Sequence, residues 1–267
     1  MSTKSATKQT GSWRPARDGT RMPTVSLDTT SAEKFRLPKS FSWRDSHINC
    51  TLAVAQPSTD PELWSECVAG AYRSYRMRGV EDALDVDTMR TGSDTCMFFV
   101  VLDDAGRMLA GLRAKGPLRS ADDSHAVIEW AGQPSQQAVR DMINDRVPFG
   151  VLEMKSGWVA EDADRDLDLT TPLARSPFHM MALIDVQFCM ATAASYVLNR
   201  WRSSGGTVPG IPATPYPDER YQTKMIWWNR QDFVRHAEPA QVAKTLIETS
   251  QLTREFYGQR DSGLLSG

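Results

Sequence analysis

The sequence predicts an α/β (α+β layered) domain in which helices flank a mixed central sheet. Three observations predict it. The run Cys96-Met97-Phe98-Phe99-Val100-Val101-Leu102 is continuously apolar, which is strand length with burial on both faces. It is followed by a turn, Asp103-Asp104-Ala105-Gly106, and by an alternating return strand over 107–115. Helical patterns stand on both sides of this hairpin, so strands and helices are interleaved along the chain.

The elements follow in order. Asp60 is placed as an N-cap with Pro61 at the first helical position, and the helix extends to about Gly79. Leu63, Cys67, Ala71 and Tyr75 recur every four residues on its apolar face. In the return strand Met108, Ala110, Leu112 and Ala114 share one face. Residues 125–130 are expected as a strand, and 135–144 as a short helix capped by Ser135. A further strand is expected over 149–159. Simple alternation sets Leu152, Met154 and Trp158 on one face and Glu153 and Lys155 on the other. A mid-strand carboxylate suits a cleft, or else bulk solvent. Residues 178–198 are apolar nearly all round, and His179, Asp185 and Gln187 within them argue for a buried core helix over a membrane span. Ser176-Pro177 is its expected start. The stretch 202–220 reads as loop, 223–229 as a strand with Trp227 and Trp228 on opposite faces, and 239–257 as an amphipathic helix.

Composition limits the function. The chain has 267 residues, 40% hydrophobic and 24% charged, with a net charge of −2, which argues against a whole-protein nucleic-acid binder. Residues 1–40 hold eight basic and three acidic residues, a net of +5, which leaves −7 for the rest. They are rich in Ser and Thr and poor in large apolar groups, so they are expected as a disordered basic arm. A single domain is expected over 41–260 and a flexible tail over 261–267. The four cysteines, Cys50, Cys67, Cys96 and Cys189, form no metal-ligand pair, so no metal is expected, and a reduced, cytoplasmic protein is the expectation.

Several chemistries are excluded by missing motifs. There is no GxxxxGK[ST], GxGxxG, HExxH or GxSxG. His179, Asp185 and Cys189 would all lie on one helix, where the rise separates them by about 9 and about 15 Å, too far for a triad.

Residues 71–159 resemble the GNAT acyltransferase superfamily, nearest the acyl-homoserine-lactone synthase and N-acyl amino acid synthase branch. Three stretches carry the resemblance. The first is Ala71-Tyr72-Arg73-Ser74-Tyr75-Arg76-Met77-Arg78 followed by the acids of 81–87. The second is the hairpin with its Asp103-Asp104-Ala105-Gly106-Arg107 turn, ending near Arg113. The third is Leu152-Glu153-Met154-Lys155-Ser156-Gly157-Trp158-Val159. The chain departs from the pattern in three places. Ser156 stands where the branch has arginine, Ala110 where it has glycine, and no glycine occurs from Trp158 to Leu198, where the superfamily has a pyrophosphate loop.

The resemblance implies an acyl group passed from a thioester donor, acyl-CoA or an acyl-carrier protein, to a small amine or amino-acid-like acceptor. The donor would lie between the fourth and fifth strands. It implies Glu153 as base. The loop Pro215-Tyr216-Pro217-Asp218-Glu219-Arg220-Tyr221 is itself dense in polar and aromatic residues, so it reads either as a proline-pinned turn or as a binding loop in which Tyr216 or Tyr221 is the acid for the leaving thiolate. Arg73 and Arg113 would bind an acceptor carboxylate, with Ser156, Trp158, Asp218 and Arg220 also about the substrate. Arg165, Arg175 and Ser176 would meet the donor phosphate at a helix start. The alternative is a catalytically silent GNAT-like binding protein, its cleft filled by Trp158 or other side chains. A third reading gives the basic arm a role on polyanions, but no aromatic-basic pattern supports nucleic-acid readout, and no membrane span is expected.

Overall fold

The computed structural model describes residues 35–264. Most of the expected basic arm therefore lies outside the described residues. At its end Leu37 is buried, and its N–H donates to the Gln56 side chain.

Among the described residues, eight strands form one sheet: β1 (Phe41–Asp45), β2 (Cys50–Ala55), β3 (Thr95–Leu102), β4 (Met108–Lys115), β5 (Val151–Val159), β6 (Phe188–Ala194), β7 (Thr214–Pro215) and β8 (Gln222–Asn229). Their order is β1-β2-β3-β4-β5-β6-β8-β7. Among the described residues, only β5 and β6 pair in parallel. The β3–β4 hairpin closes as expected, because Asp103 Oδ1 accepts the N–H of Ala105 and of Arg107, and Gly106 takes the positive φ the turn requires.

Helices cover both faces. The face of Phe98 and Val100 carries α1 (Pro61–Met77) and, further along the sheet, α3 (Ala126–Glu129) and α4 (Gln136–Asn144). The face of Phe99 and Val101 carries α5 (Thr170–Ile184) and α7 (Pro239–Leu264). The small helices α2 (Val86–Thr91) and α6 (Leu198–Arg202) complete the set. The α1 start is as the sequence implies, with Asp60 Oδ1 accepting from the Leu63 N–H at 3.2 Å and Pro61 at the first position. Ser135 holds the N-cap position of α4 without a side-chain cap bond. The last helix runs to Leu264, past the residue where a tail was expected.

Three expectations are corrected. Residues 125–130 form α3, not a strand: Ala126, Val127 and Trp130 are buried while Ile128 is exposed, a helical spacing too short to read from pattern alone. The single helix expected over 178–198 is two elements. α5 ends at Asp185, which adopts the left-handed conformation (φ 59°), and the chain turns back as β6. Pro177 does not start α5; it lies inside it. The carbonyl that proline leaves without its usual N–H donor is that of Leu173, and the Ser176 hydroxyl donates to that carbonyl at 2.8 Å. Trp227 and Trp228 do lie on opposite faces, but helices cover both, so both rings are buried.

Candidate active site

β5 and β6 pair from Val151 and Phe188 only as far as Met154 and Ala191. Beyond those residues they diverge. β5 stays with β4, and β6 stays with β8 as far as Ala194. The gap is a cleft of about 350 Å³ bordered by Lys155 to Val159 on one strand and Ala191 to Ala194 on the other.

A bulge shapes the β5 wall. Ser156 has φ 54°, and the β4–β5 register shifts between Gly111 and Arg113. The bulge reverses the alternation, so Trp158 joins Lys155 and Glu153 on the α1 face; the expected split between these residues is corrected accordingly. The Trp158 ring lies over Gly70 and Gly111. A Cβ at Gly70 would stand 2.1 Å from the ring, and one at Gly111 3.0 Å from its nitrogen. These two glycines let the indole pack against α1, and the cleft beside it stays open.

A charged cluster stands on the cleft wall. Glu129 is buried at 5% exposure. Its Oε1 accepts from Lys155 Nζ and from the Thr192 hydroxyl, each at 2.8 Å, and lies 3.0 Å from His125 Nδ1. Its Oε2 is buried with no partner. Burial opposes the charge of Glu129, yet the Lys155 ammonium and His125 hold its pKa down to about 2. Burial likewise opposes the Lys155 charge, but Glu129 and then Glu153 keep its pKa above the ordinary lysine value. The ammonium also stands 2.8 Å from His125 Nδ1. Nε2 faces the Tyr216 hydroxyl at 3.5 Å, with the two rings edge to face at 5.7 Å. Burial, then the Glu129 charge, raises the Tyr216 pKa, so the phenol keeps its proton at neutral pH.

The residues expected at the site divide. Tyr216, Tyr221, Ser156 and Trp158 line the cleft. Glu153 lies fully buried behind the wall, with Oε2 accepting the His125 N–H at 3.0 Å. Arg73 is exposed on α1 and lies outside the lining. Arg113 is buried and held by Asp94 at 2.6 Å, Thr95 at 3.0 Å and Ser156 at 3.4 Å, so it is not free to take an acceptor carboxylate. Asp218 and Arg220 pair with each other on the surface at 2.7 Å, also outside the lining. Arg165 borders a separate depression beside the β5–α5 connection. Arg175 and Ser176 are fully buried in α5, five and six positions past its start, and cannot reach a phosphate. Burial disfavours the Arg175 charge, but bonds to Glu248 and Asp45 keep it protonated.

Sequence reading missed His125, Glu129, Lys155 and Thr192. Treating 125–130 as a strand put His125 and Glu129 about 13 Å apart. On a helix, residues four apart are neighbours. Of the paper triad, His179 is on α5, Asp185 at its C-cap and Cys189 on β6, where burial raises the thiol pKa far above the ordinary value. Among the described residues, no group of three or more His, Cys, Asp or Glu is placed to hold a metal, and no helix is long and apolar enough to cross a membrane.

Uncharacterized proteins of Mycobacterium tuberculosis and Mycobacterium bovis are each 50% identical to this chain over 235 residues, 88% of this chain and 89% of theirs. The chain belongs to their family. No family model matches it. Among solved structures, FeeM, an N-acyl amino acid synthase from uncultured soil microbes, aligns with a TM-score of 0.50 at 11% identity, covering 73% of this chain and 98% of FeeM. The fold is the GNAT fold, as the resemblance implied.

Proposed function

We propose that this chain is an acyltransferase that moves an acyl group from a thioester donor to a small amine in the β5–β6 cleft. The observation that carries the reading is the open cleft at the strand divergence, walled by Tyr216, Lys155 and Glu129, with His125 bonded to all three. In this reading the thioester lies along the β5 edge that no longer pairs with β6, and backbone N–H groups there hold its oxygen as charge develops. The amine nitrogen forms the C–N bond, and the C–S bond breaks. Tyr216 donates its proton to the departing sulfur and recovers one from the amine through water. His125 Nε2 stands beside the phenol and orients it, while Lys155 and Glu129 fix the ring. Tyr221 forms part of the same wall. Glu153 serves this reading as a positioning residue through the His125 backbone.

The silent alternative needs a filled cleft. Trp158 packs against α1 instead and the cleft stays open, so a silent protein would bind a thioester without turning it over. The test is thiol release from a series of acyl thioesters, acyl-CoA and acyl-carrier protein, each with and without a panel of amines and amino acids. Release that depends on an amine and on acyl length supports the reading. Thermal stabilisation by these thioesters with no amine-dependent release would favour the binding protein.

A further inference from the structure

The cleft wall carries an amine of its own. In a protein that acylates amines, such a group competes with the acceptor for the acyl group. Among the described residues, Lys155 is the lysine that lines the cleft. It is the first residue of β5 past the last pair with β6, at the start of the free edge. Its side chain keeps 14% exposure, so Nζ is not sealed away from a ligand.

Only a neutral amine is a nucleophile. Burial by itself favours that neutral form in a lysine. Here it is outweighed: Glu129, then Glu153, keep the Lys155 pKa above the ordinary value. Nζ donates to Glu129 Oε1 at 2.8 Å. The Thr192 hydroxyl, at 2.8 Å, and His125 Nδ1, at 3.0 Å, hold the same oxygen, so the carboxylate is fixed against the amine. The other groups about Nζ do not replace it. Arg113, the register neighbour on β4, is a cation already engaged by Asp94. Tyr75 from α1 and Tyr216 after β7 are phenols whose pKa values burial raises, so both keep their protons. The product of acylation is disfavoured as well. An amide at Nζ would leave Glu129 and Glu153 buried without that ammonium.

Resting on the acyl-transfer reading, we propose that Lys155 is a latent self-acylation site and that Glu129 guards it. Without the Glu129 carboxylate, neutral Nζ attacks the thioester carbonyl carbon. The C–N bond forms, the C–S bond breaks, and the proton lost by nitrogen leaves with the thiol. The resulting amide cannot pass its acyl group on. Glu129 thus reserves the donor for a free amine.

Two measurements on the full chain test this. In the first, native protein and Glu129→Gln are incubated, with no amine added, with acetyl- and octanoyl-coenzyme A and the matching N-acetylcysteamine thioesters, and their peptides are mapped by mass. The expected result is an unmodified Lys155 in the native protein and acylation of Lys155 in the variant, at least about tenfold above any native trace, because an opposite charge in contact is lost. An acyl group accumulating on native Lys155 overturns the proposal, as does a folded variant that stays unmodified there. Amine-dependent thiol release by the native protein, together with an unmodified variant, overturns the proposal and leaves the acyl-transfer reading standing. Neither release nor adduct overturns both.

The second measurement needs no variant and no bound donor. Native protein is trace-labelled with acetic anhydride from about pH 7 to about pH 11, with exposed Lys39 as the internal standard. Lys155 labelling is expected to rise with a midpoint above the ordinary lysine value. A midpoint at or below that value overturns the proposal, whether or not Glu129→Gln folds. A Lys155 that stays unlabelled at every pH is not an amine the cleft exposes, which also overturns it.

Discussion

Two buried charge clusters lie on opposite faces of the sheet, built from similar parts. One joins β1, α5 and α7. Arg175 donates to Glu248 at 2.7 and 2.8 Å and bonds Asp45; Lys244 bonds Asp45 at 2.6 Å; His179 lies 3.0 Å from Glu248 and 2.8 Å from the Thr249 hydroxyl. Arg175 and His179 are wholly buried, and the cluster touches neither cleft nor depression. The other cluster opens onto the cleft through Lys155, Glu129 and Tyr216, with His125 bonded to them. Burial and ion pairing alone therefore do not mark a site. The sealed cluster ties the C-terminal helix to the sheet, whereas the open one presents a phenol, an ammonium and a carboxylate to a space a ligand can enter. Charged groups on packed elements become chemistry only where the sheet leaves a gap beside them.

The comparison is open to direct test. The largest expected effect is on the sealed side. Arg175→Met leaves Asp45 and Glu248 without the buried guanidinium they share and is expected to cost about 3–5 kcal/mol, read as a fall of roughly 10 °C in the melting midpoint. A shift of a degree or less would mean the cluster is not holding the helix.

Acid should act on the same cluster. Ion pairing outweighs burial and lowers the pKa of Asp45 from 3.8, and of Glu248 from 4.5, each to about 2. For groups depressed in this way the stabilisation is complete above the unfolded values and is lost as pH falls from there toward 2. Burial also lowers the His179 pKa, so an added proton there opposes the fold in the same direction. Urea midpoints are expected to drop on acidification over that window, and to drop less steeply in Glu248→Gln. Equal slopes would assign the acid sensitivity elsewhere.

How much of this the sequence disclosed follows the same division. Local signals were legible: the Asp60–Pro61 helix start, the apolar β3, the β3–β4 turn and the GNAT likeness of residues 71–159. Tyr216 was found because its loop is dense in polar and aromatic residues. The rest depended on backbone geometry without a sequence marker. Ser156 gives no hint of a positive φ, so Trp158 was assigned to the wrong face. Asp185 ends a helix where glycine is the usual signal. Ser176 and Pro177 look like a helix start, but the serine hydroxyl lets the proline sit inside one. Arg175 looked like a phosphate ligand only because that start was misplaced.

The smallest expected effect on stability comes from the open cluster, and it accompanies the most direct test. Tyr216 is half-buried at the cleft, and Tyr216→Phe removes only the hydroxyl. The melting midpoint should hardly move, because that hydroxyl makes a single long contact of 3.5 Å with His125. Amine-dependent thiol release should fall by about a hundredfold. Unchanged release in Tyr216→Phe, or no amine-dependent release by the native protein from any thioester, would contradict the account.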